Sequence, residues 1–214
     1  MTSPTSSTAH PITDPRPILD RALVTGGAVV AGVRPDQLTA PTPCSGMDVR
    51  TMLGHLVGVL GRVAAIGKGE DPFTVGDVLV PGDDWSGAWA AAADGAVAAW
   101  ADDAALDRPT ALPWIQGSGA EVLISYFSEL TVHTWDLATA TGQDPVWDDA
   151  VLTAALEARP ILPAENRLAL FEQIAASMGA DEVAVPFAEA VTVPADASAI
   201  DRLVAWNGRD PSRS

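Results

Sequence analysis

Three side chains in this sequence have the types and spacing for metal chemistry. Glu129 and His133 stand four residues apart in Tyr126-Phe-Ser-Glu129-Leu-Thr-Val-His133-Thr-Trp-Asp136, and at about 100° per residue they lie roughly 40° apart on one edge of a helix. A carboxylate and an imidazole one turn apart can grip one divalent ion. Two ligands are too few for tight tetrahedral binding, so a third must come from elsewhere. The chain has three histidines. His10 falls in a Ser/Thr/Pro tract at the start, which leaves His55 in Leu53-Gly-His55-Leu-Val-Gly58. Two histidines and one carboxylate form a known catalytic zinc set. The competing explanation is a Glu–His hydrogen bond, because buried polar groups are ordinarily just satisfied ones, and spacing alone leaves both open. Asp136, three residues past His133, has two readings: a carboxylate behind the ligand that orients it, or a surface or capping group. Cys44 reads as a buried small hydrophobe by default, and Trp135 as packing.

These residues must be positioned by helices. Leu123, Tyr126, Phe127, Leu130 and Leu137 form one stripe of a helix predicted from Glu121 to about Thr141 and stopped by Gly142. Ile124, Val132 and Trp135 make its far side apolar too, so the helix is expected to be largely buried. His55 lies on a helix predicted from about Asp48 to Ile66, with Ser45 and Asp48 at capping-box spacing. It sits roughly 130° from the centre of the Leu53/Leu56/Leu60 stripe, which suits a solvent-facing residue. Gly54, Gly58 and Gly61 cluster beside it, however, and glycines inside a helix cost stability unless another backbone approaches closely. A helix packed there would bury His55 as well. Further helices are predicted from Asp14-Pro15 to before Arg34-Pro35, from Trp85 to Ala101, at Asp148–Ala158, through Ala164–Met178 and from about Asp196 to Trp206. Ala111 to Ile115 reads as a short extended piece. Glu182–Pro186 and Ala190–Pro194 read as short strands or extended segments. The expected architecture is all-α in the main, a helix bundle over about 14–142 with a C-terminal extension over about 143–211, as one domain after a disordered tail at 1–13.

Composition narrows the function. Across 214 residues, 12 Lys+Arg against 28 Asp+Glu give a formal net charge of -16, a field that repels nucleic acid and anionic lipid alike. One cysteine cannot form an internal disulfide or a Cys-rich zinc site. The opening residues lack the basic and apolar regions of a signal peptide, and no run of roughly 18 apolar residues occurs. The expectation is a cytoplasmic protein with small-molecule partners, and an apolar fraction of 48% is compatible with a homodimer. There is no phosphate-binding Gly-rich loop, no Gly-x-Ser-x-Gly elbow and no His-Glu-x-x-His. A di-iron bundle would need two Glu-x-x-His helices.

Three stretches carry a resemblance: Pro43-Cys-Ser-Gly-Met-Asp48-Val-Arg-Thr-Met-Leu-Gly-His55-Leu-Val-Gly58, Glu129-Leu-Thr-Val-His133-Thr-Trp-Asp136-Leu-Ala138, and a terminal Val193-Pro-Ala-Asp-Ala with Asp201-Arg-Leu-Val-Ala-Trp-Asn-Gly208-Arg-Asp-Pro211. In order and over most of the chain, they resemble the actinobacterial metal-binding family related to the N-terminal domain of mycothiol-dependent maleylpyruvate isomerase, within the DinB/YfiT-like superfamily. The resemblance implies an up-down-down-up four-helix bundle. It also implies one divalent metal on His55, Glu129 and His133, with zinc the leading candidate and nickel or iron accepted by the same donors. Met47 stands where that family usually has Trp, and the isomerase's separate C-terminal domain is not evident. By the resemblance, the activity is a thiol-dependent isomerisation or S-transfer on a small electrophile, with mycothiol as co-substrate. A metal- or ligand-binding bundle without turnover and a metal-dependent hydrolase share the same ligands.

Overall fold

The computed structural model describes residues 12–178 and 185–213. Eight helices and one hairpin are present among them: α1 (Arg16–Ala31), α2 (Val49–Lys68), α3 (Trp85–Ala99), α4 (Asp103–Asp107), β1 (Pro109–Leu112), β2 (Ile115–Ser118), α5 (Gly119–Thr141), α6 (Asp149–Ala158), α7 (Arg167–Met178) and α8 (Ala199–Trp206). The fold is therefore mainly helical, and β1 pairs antiparallel with β2 where a single extended piece was expected. Positions 1–11 of the expected tail, with His10, lie outside the described residues, as do positions 182–184 of the expected strand ending at Pro186. No strand forms over Ala190–Pro194, where Val191 instead donates its amide to the Ala205 carbonyl at 2.8 Å.

Four long helices close a ring in which α1 packs on α3, α3 on α2, α2 on α5, and α5 back on α1. Local chemistry sets their ends. At α5 the Ser118 hydroxyl accepts from the Glu121 amide while Glu121 accepts from the Ser118 amide at 2.8 Å, so two orphan donors are satisfied reciprocally. Gly142 then ends the helix at φ 68°, a left-handed position that favours glycine. At α2 the cap is Asp48, which accepts from the Thr51 amide at 2.8 Å. The Ser45/Asp48 capping box expected from spacing does not form, because Asp48 is itself the capping residue. By length and composition α2 could cross a membrane, yet from Met52 to Leu60 it is buried throughout, as suits the central helix of a core.

The glycines of α2 are explained by a loop, not by the packed helix that their clustering suggested. The segment 75–78 runs along the Gly54/Gly58/Gly61 face, and Val78 donates its amide to the Gly54 carbonyl at 3.0 Å. A Cβ on Gly54 would collide with the Val78 carbonyl, and one on Gly58 would meet the Gly76 carbonyl at 2.8 Å. This contact buries His55, which is only 8% exposed against the solvent-facing position its rotation suggested.

Beyond the ring, α6 packs on α5 and α1, and α8 packs on α6 and α5. The fully buried Arg167 guanidinium donates to the carbonyls of Pro163, Ala188 and Trp206. It ties the segment 185–189 to the end of α8.

Gly54→Ala should destabilise the protein by about 1–3 kcal/mol, since a clash with backbone outweighs the gain in helix propensity. Gly95→Ala in α3, where a Cβ meets nothing within 4 Å, should stabilise by about 0.5–1 kcal/mol. Urea unfolding of the two variants beside the wild type checks both signs.

Candidate metal centre

His55 on α2 comes together with Glu129 and His133 on α5, the helix that α2 packs against. Their donor atoms all lie within 4.8 Å of one another. The two imidazoles meet edge to face, with centroids 4.9 Å apart and planes at 85°. Glu129 Oε1 is 3.5 Å from His55 Nε2, an ion-pair distance too long for a good hydrogen bond. The structure thus brings together the three residues singled out by type and spacing.

Each histidine is held from behind in the same way. His55 Nδ1 lies 3.1 Å from Asp77 Oδ1, which in turn accepts from Arg62 Nη2 at 2.8 Å. His133 Nδ1 lies 2.9 Å from Asp136 Oδ2, and Arg209 donates to both oxygens of Asp136, at 3.1 and 2.8 Å. A carboxylate on Nδ1 fixes the proton there in a neutral ring, so Nε2 presents its lone pair. Both Nε2 atoms are buried and have no hydrogen-bond partner. An unsatisfied buried acceptor is costly and calls for an explanation. Two unpartnered ring nitrogens with a carboxylate close by are a donor set that suits a divalent ion.

Charge supports that reading at His133 and Glu129, while His55 must first give up a proton. Burial lowers His133, and although Asp136 opposes it the net direction is down, so this ring is neutral near pH 7. Burial also works against a charged His55, but Asp77 and Glu129 outweigh it and push the imidazole up to about 9 in the metal-free protein. Burial raises the Glu129 carboxyl, yet its histidine neighbours and Arg62 hold it below the usual range, as an anion. Without an ion, a proton on His55 is what offsets the carboxylates.

Cys44 also comes within 4.8 Å of His133 and Asp136 donors. That trio makes a poor ion site, because His133 Nδ1 and Asp136 are already engaged with each other and with Arg209. Burial also raises the Cys44 thiol, which keeps it protonated. Trp135 is buried against the core, as packing predicts.

Four contributors escaped the sequence reading. Asp77 and Arg62 carry no motif; only the glycines that admit their loop hinted at a backbone approaching α2. Phe187 stacks on His133, with centroids 5.3 Å apart and planes at 21°, beneath Arg209 at 5.3 Å. Arg209 does fall within the terminal stretch Gly208-Arg-Asp-Pro211, so a signal for it existed without a role. On its open side the cluster borders a cavity of about 410 Å³ lined in part by His55, Glu129 and Asp77.

Fold and site together define a mainly helical domain with a buried His–Glu–His group suited to a metal. The chain belongs to the mycothiol maleylpyruvate isomerase N-terminal domain family, whose model matches residues 19–138, a span holding His55, Glu129, His133 and Asp136. Two uncharacterized proteins of Mycobacterium tuberculosis, from strains CDC 1551 / Oshkosh and H37Rv, are each 30% identical over 200 residues, covering 92% of this chain and 98% of theirs. No solved structure matches the chain at a significant level.

Asp77→Asn should drop the His55 pKa of the metal-free protein from about 9 toward its ordinary value, as followed by NMR titration of the ring. A group raised on folding contributes stability that is full below its unfolded value and is lost as pH rises through its folded value. The metal-free wild type should therefore lose stability between about pH 6.5 and 9, the ordinary and folded values of His55, and Asp77→Asn should flatten that loss.

Proposed function

We propose that this protein holds one divalent metal ion on His55 Nε2, His133 Nε2 and Glu129, and uses the site for thiol-dependent isomerisation or S-transfer on a small electrophile. The observation that carries the metal is the pair of buried Nε2 atoms without partners, in two rings that stand together beside Glu129. Zinc fits the donor set, and nickel or iron would also be accepted. Support for the thiol chemistry comes from the family, whose description names mycothiol and an isomerase. We propose, with that family, an up-down-down-up order for the four ring helices.

A divalent ion held by these two imidazoles and the carboxylate would keep a net positive charge and would lower the pKa of a thiol brought to it. The chain's own residues prepare for this. Asp77 and Asp136 keep both Nδ1 protons in place, so both Nε2 lone pairs point inward. Arg62 and Arg209 keep those aspartates ionised and fixed. Glu129 is half-buried and borders the cavity, so the accessible side of the centre is the side where a small molecule would enter. Phe187 lies flat on His133 and excludes water from its face. In the isomerase reading, thiolate sulfur adds to an electrophilic carbon–carbon double bond, the resulting single bond rotates, and the thiolate leaves. In the transferase reading, the carbon–sulfur bond persists and the carbanion takes a proton.

The test is elemental analysis of the purified wild type beside His55→Ala and His133→Ala. About one equivalent of metal in the wild type and loss from both variants is expected; full metal content in either variant overturns the site. Since the ion must displace the His55 proton, metal uptake at pH 7–8 should release about one proton per ion, and affinity should rise roughly tenfold per pH unit up to about 9. Calorimetry in buffers of different ionisation enthalpy checks this. Consumption of a thiol with an electrophile by the loaded protein, and none by His133→Ala, is the expected activity. No thiol consumption by a loaded wild type would favour a binder without turnover.

A further inference from the structure

The cavity beside the centre has a composition that says what should fill it. At about 410 Å³ it is the size of a small-molecule site. One wall is α7, which turns Leu170 and Phe171 toward the space and packs only sparsely on the other helices. A helix whose apolar residues border a void gives up the contacts that would hold it, and an apolar ligand restores them. Trp114 and Trp206 offer flat apolar surface on the same cavity.

The cations at the cavity are not equivalent. Arg62 is committed to Asp77 and the Val75 carbonyl. Arg159, at the end of α6, borders the cavity and reaches solvent. Its guanidinium lies over the Trp206 ring, 5.4 Å from the centroid. Among the described residues no carboxylate pairs with it, in a chain that carries 28 acidic residues against 12 basic ones. An arginine that no described carboxylate engages, at the rim of an apolar chamber, is a seat for an anion from outside.

We propose that the cavity takes a small molecule with a flat apolar body and one carboxylate, the body lying against Phe171, Leu170 and the tryptophans and the carboxylate on Arg159. The end nearest His55 and Glu129 is then the reacting end. This deepens the reading above, since it takes the cavity as the substrate chamber of the proposed centre. It makes Arg159 a specificity-determining residue and α7 a wall completed by the ligand.

Calorimetric titration of the full chain with naphthylacetate and its neutral isostere naphthylacetamide, with and without bound zinc, tests the proposal. The expected result is one naphthylacetate per chain, bound roughly tenfold more tightly than the amide. Arg159→Gln should bring the acid to within about twofold of the amide and leave amide binding unchanged, which also shows that the variant is folded. Phe171→Ala should weaken both compounds by about tenfold. The preference for the acid should persist in metal-free protein. Absence of binding by both compounds overturns the proposal, as does an acid preference that survives Arg159→Gln. A preference seen only with zinc also overturns it, because the carboxylate would then sit on the metal. Metal content of the same samples is read separately. No bound zinc with an Arg159-dependent preference intact would sink the metal centre and leave this proposal standing.

Discussion

The site depends on one close approach, that of the backbone at 76–78 to the glycine face of α2. Two carbonyls, of Gly76 and Val78, occupy space that side chains on Gly58 and Gly54 would fill. The approach brings Asp77 to His55, and it turns a helix position far from the apolar stripe into a buried one. Water is thereby excluded from an imidazole that must present a lone pair inward. Helix α2 gives up propensity at three glycines to gain this geometry, a local cost that makes sense only if the buried histidine is worth keeping.

The same solution is reached from the other side by unrelated means. His133 is fully buried on α5, and its carboxylate comes from the same helix, three residues on, while the arginine that fixes it arrives from beyond α8. Two His–Asp–Arg chains of different origin therefore converge on one pair of Nε2 atoms. Single hydrogen-bonded histidines are common in cores. Two side by side, each backed by a carboxylate and with Glu129 beside them, are hard to explain as stability alone, because an apolar pair of that shape would avoid the desolvation cost.

The extent to which this was legible in the sequence follows from what periodicity and capping can see. The start and stop of α5 were readable within two residues because Glu121 and Gly142 act locally. Glu129 and His133 were readable as a pair because helical spacing is also local, and Asp136 shared that advantage. His55 was the hard case: an apolar stripe predicts burial only against side chains, whereas its cover is loop backbone. Three glycines carried the information but pointed to a helix where a loop stands. Asp77 and Arg209 lie 22 and 73 residues from the groups they orient, and no local rule connects them. Ser45 and Asp48 matched a spacing that Asp48 alone satisfies. The hairpin β1–β2 showed as a single extended piece because that reading ran straight through Pro113 and Trp114, where the chain turns back on itself.

The central claim is that the Nε2 atoms of His55 and His133 and a Glu129 oxygen are ligands of one ion. Anomalous diffraction from crystals of the zinc-loaded protein tests it most directly. The account predicts a single strong peak bonded to Nε2 of His55, Nε2 of His133 and a Glu129 oxygen, with Asp77 and Asp136 still on the Nδ1 atoms. A peak on Cys44 and Asp136, or none between the two rings while zinc binds elsewhere, would contradict it.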